Sequence, residues 1–385
     1  MNKIEELIQQ LCPEGVVYKE LGEMTKILNG YAFKSNKYTS SGIRVIRISD
    51  VQKGKMSDKD LKYYPIEMMD EFKSYILKEN DLVMSLTGNV GRVAMLSERH
   101  LPAGLNQRVA CIRTKNKEIL TRFLFHFFDQ NQFEIVAMTN ATGGGQKNMS
   151  TTWLAKYMIP IPPLPVQQEI VTILDTFTEL EAELEAELEA RKTQYEYYRN
   201  DLLTFGDEVE YKELGNVCVF ERGRTITQKD AVEGDVPVIA GGQNPSYYHN
   251  KPNRTGATIA VSSSGAYAGF VSFWTIPVFL SDSFSVNPQM DILLPKYVYY
   301  FLKSIQPKIH DTKKGGGVPH VHGSSIAKFQ IPIPPLPVQQ EIVTILDTFT
   351  ELEAELEAEL EAELEARKKQ YEYYREKLLS FEKAE

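Results

Sequence analysis

The chain contains one twenty-residue block twice, IPIPPLPVQQEIVTILDTFT, at residues 159–178 and again at residues 331–350. An internal repeat constrains the fold more than any local pattern, because it predicts two structural units of common design. The stretches that precede the two blocks, residues 18–158 and 211–330, differ strongly in sequence. The chain is therefore expected to use one scaffold to carry two different bodies.

Tandem copies of the tetrapeptide ELEA follow each block, three at residues 179–190 and four at residues 351–366. Their alternation has the period of a strand, but Glu, Leu and Ala are strong helix formers, and Glu and Ala are depleted in strands. The flanking apolar residues recur at steps of three and four, which is the spacing of a coiled coil, and the tracts insert four-residue steps.

We therefore predict two helices of about 40 residues, roughly 60 Å long, whose apolar seams pair with each other. A helical spacer with no role beyond holding the domains apart is the alternative. The predicted seam consists of Ile170, Phe177, Leu180, Leu184 and Leu188 in the first helix, and of Ile342, Phe349, Leu352, Leu356, Leu360 and Leu364 in the second.

The net charge of −9 is concentrated in the two helical segments. Residues 166–205 carry ten acids and three bases, and residues 338–385 carry fourteen acids and six bases, which leaves +6 on the rest of the chain. A basic remainder permits a polyanionic partner. With 42% hydrophobic and 25% charged residues and no long apolar run, the composition predicts a soluble, cytoplasmic protein that does not enter membranes.

The sequence offers no pattern typical of a catalytic or cofactor site. A phosphate-binding GxxxxGK[ST] loop, a GxGxxG turn, a GxSxG elbow and an HExxH helix are all missing from it. The pair His320 and His322 lacks nearby cysteines or paired acids, so a loop that contacts a partner is favoured over a metal site. The scattered cysteines Cys12, Cys111 and Cys218 are expected to be reduced thiols. We predict no catalytic, cofactor or metal site in this chain.

Each body is expected to combine short strands, such as residues 43–48 and 236–239, with a buried aromatic helix, at residues 119–132 and 295–305. The loops are rich in Asn, Gln, Arg, Ser and Lys, the residue types that contact base edges and phosphates of DNA. The candidate DNA-binding residues are Arg44, Arg47, Ser49, Thr87, Asn89, Arg92, Asn106, Gln107, Arg108 and Lys147 in the first body, and Gln243, Asn244, Tyr247, His249, Lys251, Ser263, Ser264, Tyr267, Lys313, Lys314 and His320 in the second.

The duplicated blocks, the tandem tetrapeptides and the two divergent bodies together resemble the specificity subunit of a type I restriction–modification system. GIRVIRISD at residues 42–50 is similar to the opening of many recognition domains of that family. PVIAGGQNP at residues 237–245 and SSSGAYAG at residues 262–269 are similar to another common subtype. The resemblance covers nearly the whole chain. One departure is that the C-terminal helix also carries the tetrapeptide tract, in a longer form.

The resemblance implies an α+β fold in which two mixed α/β target-recognition domains are separated by two long antiparallel coiled-coil helices, with a pseudo-twofold internal repeat. The expected domains are a first target-recognition domain with an N-terminal helix, a central proline hinge with its spacer helix, a second target-recognition domain, and a C-terminal hinge with its helix. Their predicted ranges are 1–158, 159–205, 206–330 and 331–385.

The resemblance also implies a non-catalytic subunit. Each recognition domain would bind one half of a bipartite target in double-stranded DNA, while the helices set the half-site spacing and dock two modification subunits. Those methyltransferase subunits would carry S-adenosylmethionine, and restriction subunits would use ATP and Mg. A stand-alone bipartite DNA-binding regulator and a protein-binding scaffold are the alternatives.

Overall fold

The structure, a computed structural model, describes residues 2–115, 117–315 and 317–384. The first and last residues of the predicted domain ranges lie outside these residues. Within the described part of the chain, no helix is both long enough and apolar enough to cross a bilayer. Cys111 and Cys218 are buried and free, and Cys12 is free and half-buried.

The helices fall into two size classes, since two of them are several times longer than the others. The α-helices are α1 (Asn2–Leu11), α2 (Leu21–Met24), α3 (Thr121–Phe128), α4 (Asn131–Asn140), α5 (Thr151–Ala155), α6 (Leu164–Leu202), α7 (Leu214–Val217), α8 (Pro295–Ser304), α9 (Gln306–Asp311), α10 (Gly323–Ile326) and α11 (Leu336–Leu378). Short 3₁₀ segments occupy Ser35–Lys37, Ile66–Tyr75 and Glu98–His100.

The strands are short and fall mainly in the two bodies. They are β1 (Tyr18–Glu20), β2 (Thr25–Asn29), β3 (Ile43–Ile46), β4 (Tyr63–Tyr64), β5 (Leu82–Ser85), β6 (Val93–Met95), β7 (Ala103–Leu105), β8 (Val109–Thr114), β9 (Met158–Pro160), β10 (Tyr211–Glu213), β11 (Cys218–Arg222), β12 (Val236–Ile239), β13 (Tyr247–His249), β14 (Thr258–Ser262), β15 (Val271–Trp274), β16 (Phe279–Leu280), β17 (Ser283–Pro288) and β18 (Gln330–Pro332).

The chain divides into two compact units, and both boundaries fall inside an ELEA tract. Unit 1 comprises Met1–Leu184 and Glu363–Glu385, and unit 2 comprises Glu185–Ala362. Each unit therefore contains one body, the start of the long helix that follows this body, and the end of the other long helix. The domain ranges drawn from the sequence stay predictions.

The two bodies have the same sheet topology although their sequences differ. In the first body, a four-stranded sheet has the order β2-β8-β5-β6 and a three-stranded sheet has the order β4-β3-β7. In the second body, the corresponding orders are β11-β17-β14-β15 and β13-β12-β16. Both central strands, β3 and β12, run antiparallel to one neighbour and parallel to the other. This repetition confirms the expectation of one scaffold with two bodies.

Apolar and aromatic residues form the core of each body. Every residue of β3 and β5 is buried, because both faces of these strands pack against other elements. The aromatic helices α3 and α8 are largely buried as well. The prediction that these helices belong to the core rather than to a binding surface is confirmed.

The two long helices have 39 and 43 residues, close to the predicted length. In unit 2, Tyr195 of α6 bonds Thr350 of α11, and Lys192 pairs with Glu357 at 2.6 Å. The residue number of the contact rises along α11, from 350 to 357, as it falls along α6, from 195 to 192. The two helices therefore pack antiparallel in this unit. In unit 1, Phe177 stacks on Tyr374 with ring centroids 5.5 Å apart.

The structure corrects the predicted seam at the start of each tract. Leu180 and Leu352 are 37% and 56% exposed, respectively. Their neighbours Glu181 and Glu353 are half-buried instead, and burial raises the pKa of Glu353, with the nearby Glu357 adding to the shift. The covered line runs from Phe177 through Glu181 to Leu184, and from Phe349 through Glu353 to Leu356, so it passes one position beyond Leu180 and Leu352.

Candidate functional site

In unit 1, four loops meet beyond the C-terminal ends of β3, β5 and β7. The Asn106 amide donates to the Ile46 carbonyl at 3.1 Å, and the Leu86 amide donates to the Arg108 carbonyl at 2.9 Å. The Gly88 amide donates to the Lys147 carbonyl at 3.0 Å. These bonds join residues 47–50, 86–92, 106–108 and 142–148, which we name the unit 1 edge.

In unit 2, four loops meet in the same way beyond β12, β14 and β16. The Ser281 amide donates to the Ile239 carbonyl at 2.8 Å, and the Ser263 amide donates to the Asp282 carbonyl at 3.0 Å. The Gly265 amide donates to Pro319 at 3.0 Å. We name the loops at residues 240–244, 263–269, 281–282 and 314–320 the unit 2 edge.

The two edges repeat one hydrogen-bond pattern with different residues. Asn148 and Thr142 exchange backbone bonds across a tight loop, as His320 and Lys314 do in unit 2. The Met149 amide donates to Leu86 just as the Val321 amide donates to Ser263, at 2.8 and 2.9 Å. Because these bonds involve only main-chain atoms, side chains at the edges can vary without altering the scaffold.

Glycines permit the sharp path of the central loop in each edge. Gly88 and Gly265 have φ values of +77° and +85°, a conformation that other residues rarely adopt. Gly91 and Gly269 also have positive φ, and a Cβ on Gly269 would lie 2.9 Å from a side-chain carbon of Ile309. The loops therefore depend on glycine for their backbone and leave the intervening positions free to differ.

The side chains that the edges expose differ in charge and size. The exposed Arg108 in unit 1 occupies the position that Asp282 holds in unit 2, where the Asp282 carboxylate accepts a hydrogen bond from Ser264. The central loop is one residue longer in unit 2 and exposes Tyr267 there. Such differences are what two DNA-contacting surfaces with unlike targets require.

The structure brings many of the predicted DNA-binding residues to these edges. Those exposed there are Ser49, Asn89, Gln107, Arg108 and Lys147 in unit 1, and Gln243, Asn244, Tyr267, Lys314 and His320 in unit 2. Asn106, Ser263 and Ser264 are half-buried at the edges. Lys313 is half-buried beside the unit 2 edge, and its ammonium donates to the Ala266 carbonyl at 3.4 Å. Within the described residues, Arg108, Lys147 and Lys314 have no ion-pair partner, so their charges face solvent.

Four predicted residues of the first body are held by internal contacts. Arg44 is buried, pairs with Asp58 at 2.8 Å and donates to the Ser57 carbonyl. Thr87 is buried and donates to Asn148, so its hydroxyl fixes the edge from within. Two further arginines are half-buried in ion pairs: Arg47 with Asp50 and Asp60, and Arg92 with Glu134. These four side chains are therefore engaged in bonds within the body.

Two predicted residues of the second body lie away from the edge, whereas Tyr247 meets it from within, because the Ile226 carbonyl that it contacts also accepts from Ser281. Tyr247 donates to the Ile226 carbonyl at 2.6 Å, and the His249 ring accepts from the Val232 amide at 3.1 Å. Since β13 runs antiparallel to β12, His249 and Lys251 lie towards the start of β12, whereas the edge lies beyond its end. The structure does not bring Lys251 to the other candidates.

Sequence reasoning left three polar residues at or beside the edges out of the DNA-binding candidates. His322 and Arg222 line a cavity of about 240 Å³ in unit 2, together with Ser263 and His320. Asn148 holds the position equivalent to His320. The repeated blocks are offset by 172 residues, and this offset applied to His320 would have pointed to Asn148. In the part of the chain that the structure describes, no three His, Cys, Asp or Glu side chains cluster as metal ligands would.

Comparison with known proteins identifies the repeated units. The profile of the family described as type I restriction modification DNA specificity domain matches residues 13–190 and again residues 206–366. A type I restriction enzyme specificity subunit of Haemophilus influenzae is 33% identical over 72% of this chain and 76% of its own length. The EcoR124I/EcoR124II specificity subunit of Escherichia coli is 36% identical over 60% of this chain and 66% of its own length.

A solved structure shares the fold. The crystal structure of a type I restriction–modification S subunit from M. genitalium superimposes with a TM-score of 0.53 and 16% identity, and the match covers 94% of this chain and 96% of that chain. The family profile covers most of the sequence in two copies, one for each body and its following helix. The chain therefore belongs to the type I restriction modification DNA specificity domain family.

Proposed function

We propose that this chain is the non-catalytic DNA-recognition subunit of a type I restriction–modification complex, and that each edge binds one half of a bipartite target. The observation that carries the proposal is the pair of edges, which share their backbone hydrogen bonds and differ in their exposed side chains. A duplicated scaffold with unlike contact residues suits a split target whose halves differ in sequence.

The exposed residues of the edges suit both kinds of DNA contact. Arg108, Asn89 and Gln107 in unit 1 have the side chains that pair with guanine and adenine edges in the major groove. Lys147 in unit 1 and Lys314 in unit 2 have cations without an ion-pair partner in the described structure, as contacts to phosphates require. Arg47, Thr87 and Arg92 support the edge rather than meet DNA, and Arg44 supports the body outside the edge.

The ELEA tracts set the distance between the two half-sites. Each tract contains the boundary between the units, so a change in its length acts on the link between the two edges. Four helical residues add about 6 Å and a net turn of about 40°. One base pair of B-DNA adds about 3.4 Å and roughly 34°. One tetrapeptide therefore changes the permitted spacing by about one to two base pairs.

Two modification subunits dock on the repeated ends of the long helices. Tyr197 and Tyr373 hold the same position of the segment QYEYYR and are 65% and 60% exposed. Tyrosine is enriched where proteins bind each other, since it buries a large area at low entropic cost. One such residue in each unit suits a partner that is present in two copies.

The chemistry belongs to the partner subunits. The modification subunits carry S-adenosylmethionine and methylate adenine, and the restriction subunits use ATP and Mg to cut DNA. This chain supplies sequence recognition and assembly only.

Purification with and without the modification subunit tests the proposal. We expect tight, footprinted DNA binding and adenine methylation at one split sequence only when both proteins are present. Tight footprinting by the chain alone would favour a stand-alone regulator. Partner binding that persists in high salt without any affinity for DNA would favour a protein-binding scaffold, because phosphate contacts weaken steeply with salt.

A further inference from the structure

A buried glutamine in each repeated block joins the long helix to the body that precedes it. Gln167 and Gln339 are the equivalent residues, and both are fully buried. The Gln167 amide oxygen accepts from the Leu120 amide at 2.9 Å, and its nitrogen donates to the Glu118 and Pro162 carbonyls at 2.8 and 2.7 Å. The side chain therefore uses both ends of its amide.

Gln339 repeats the same three bonds in unit 2. Its oxygen accepts from the Leu294 amide at 2.9 Å, and its nitrogen donates to the Ile292 and Pro334 carbonyls, both at 2.8 Å. Every partner of the two glutamines is a main-chain atom. The contact therefore depends on the backbone conformation of the body and does not depend on its side chains.

The main-chain partners lie at the start of the aromatic helix in each body. Leu120 and Leu294 are the N-cap residues of α3 and α8, and neither side chain caps its helix. An amide at this position has no acceptor within its own helix, so a buried one needs a partner from outside. The glutamine supplies this acceptor and thereby fixes where the helix begins relative to the block.

An aspartate eight residues later makes a second contact with the same helix. In unit 1, the Asp175 carboxylate accepts from Arg122 at 2.6 Å and from His126 at 2.7 Å. In unit 2, Asp347 accepts from Lys296 at 2.7 Å and from Tyr300 at 2.5 Å. The donors are the second and sixth residues of α3 and of α8, one turn apart on one face.

The two bodies thus contact the repeated blocks through the same helix positions but with different residues. Each presents a cation at the second helix position and a hydrogen-bond donor at the sixth. In unit 1, burial acts to raise the pKa of Asp175, but the bonds from His126 and Arg122 outweigh it, so the pKa lies below the usual range and the carboxylate stays charged.

We propose that Gln167 with Asp175, and Gln339 with Asp347, form two equivalent sockets that seat a recognition body on its long helix and hold its edge in the orientation that DNA contact requires. These four are positioning residues, since they act on DNA only through the body they hold. Any body that brings a free amide at the helix start and the two donors fits either socket. This inference rests on the proposed function for its readout.

Methionine substitutions test the sockets, since methionine keeps the size of glutamine and removes its three bonds. The methylome of the unaltered complex first defines the two half-sequences, and duplexes with one half scrambled then serve as probes. In the unaltered complex, scrambling either half weakens binding. In Gln167→Met, we expect the penalty for scrambling the unit 1 half to shrink by about tenfold or more, because one buried and two part-buried backbone groups lose their partner.

The penalty for the unit 2 half should stay unchanged in this variant, and Gln339→Met should give the mirror result. Gln168→Met and Gln340→Met are matched controls, since these neighbours in the same blocks are exposed. Equal loss at both halves in Gln167→Met, or no loss at all, would overturn the socket. A complex without any split target would instead overturn the proposed function, so the two failures are distinguishable.

Hydrogen exchange keeps the inference testable if the methionine variants do not fold. In the unaltered protein, we expect the amides of Leu120 and Leu294 to be strongly protected, unlike ordinary N-cap amides. Fast exchange at both positions would contradict the socket. Gln167→Glu retains an oxygen for Leu120 but places its other oxygen against two carbonyls, so it should selectively weaken protection around α3 while leaving α8 unaffected.

Discussion

Arg375 in unit 1 and Arg199 in unit 2 hold the same position in the repeated ends of the long helices, but they meet different surroundings. Arg375 is buried and forms an ion pair with the buried Asp129 of the first body. Arg199 is also buried, yet its partners in the described structure are the Asn200 side chain at 3.4 Å and the Tyr195 ring. Nearly identical helix segments thus contact the two bodies by different means.

The neighbouring tyrosines show the same difference. The Tyr371 hydroxyl donates to the His126 ring in unit 1, whereas Tyr195 bonds Thr350 of the opposite helix in unit 2. The helix ends therefore adapt to the body, while the sockets at the helix starts are repeated bond for bond. The helix ends are therefore specific to the body they contact, whereas the sockets are common to both bodies.

The largest effect is expected from the difference in ELEA copy number between the two long helices. Inserting one ELEA at residues 179–190 gives both long helices four copies and should abolish methylation of the original target. Methylated sites should instead keep both half-sequences and gain about one to two base pairs of spacing. Methylome sequencing of the complex measures this. The same insertion at residues 351–366 shows whether the second tract also sets the spacing. Unchanged methylated sites after both insertions would refute the proposal that the tracts set the half-site spacing.

The next largest effect is a difference in the stability lost when Arg375 and Arg199 are replaced. Arg375→Ala leaves Asp129 buried without its cation and should cost about 3–5 kcal/mol of unit 1 stability. Arg199→Ala removes no ion pair and should cost unit 2 about 1 kcal/mol. Denaturant unfolding can follow each unit separately, since Trp153 lies in unit 1 and Trp274 in unit 2. Equal losses for the two variants would break the comparison.

Single residues of the edges should affect one half-site each. Arg108→Ala should relax the preference at one base pair of the unit 1 half by about 1–3 kcal/mol, since an arginine pairs with guanine through two bonds. Asp282→Asn, at the equivalent position, should relax only the unit 2 half. Binding to duplexes with single changes measures both. Arg44→Lys is the control, because Arg44 is buried and lies outside the edge; a loss of base preference there would contradict its supporting role.

The smallest effect is the pH dependence that His126 gives to unit 1 and that its counterpart in unit 2 does not give. Burial lowers the pKa of His126, against the opposing pull of Asp175. Unfolded histidine takes up a proton near pH 6.5, so this part of the stability is full above about pH 6.5 and is lost as the pH falls towards the folded pKa. Tyr300 holds the equivalent position in unit 2, and burial raises its pKa. Tyr300 therefore stays protonated and takes up no proton as the pH falls below 7.

His126→Gln isolates this contribution, since an amide can donate to Asp175 and accept from Tyr371. The stability of the Trp153 unit should fall less between about pH 7 and 5.5 in the variant than in the unaltered chain. Burial also raises the pKa of Asp129 to about 6, which favours the folded state at lower pH. Asp129 is present in both proteins, so its contribution cancels when their pH profiles are compared. Identical pH profiles would contradict a buried, neutral His126.

Much of the fold follows from the sequence because repeats and periodicity report directly on packing. The identical blocks predicted two units, and residue type outweighed the strand-like period of ELEA, since Glu, Leu and Ala favour helices. The seam failed at Leu180 and Leu352 because the covered line steps four residues from Phe177 and Phe349, onto Glu181 and Glu353, and so misses the first leucine of each tract. Sequence spacing alone does not tell which side of such a helix is covered.

The sites were harder to predict because polarity does not distinguish a supporting residue from a contacting one. Arg44 and Arg108 look alike in the sequence, yet the Asp58 carboxylate holds the first and no acid pairs with the second in the described structure. The socket glutamines Gln167 and Gln339 were hidden by their identity in both blocks, which gave no contrast with Gln168 and Gln340. Only their contacts with distant main-chain atoms set them apart.

The central claim is that one scaffold binds two unlike half-sites through its two edges. Methylome mapping of the complex with Lys314→Ala and His320→Ala combined in the unit 2 edge tests it most directly. The account predicts that the methylated sequence becomes degenerate in one half only, with the other half and the spacing unchanged. Degeneracy in both halves, or a target that is not split, would contradict it.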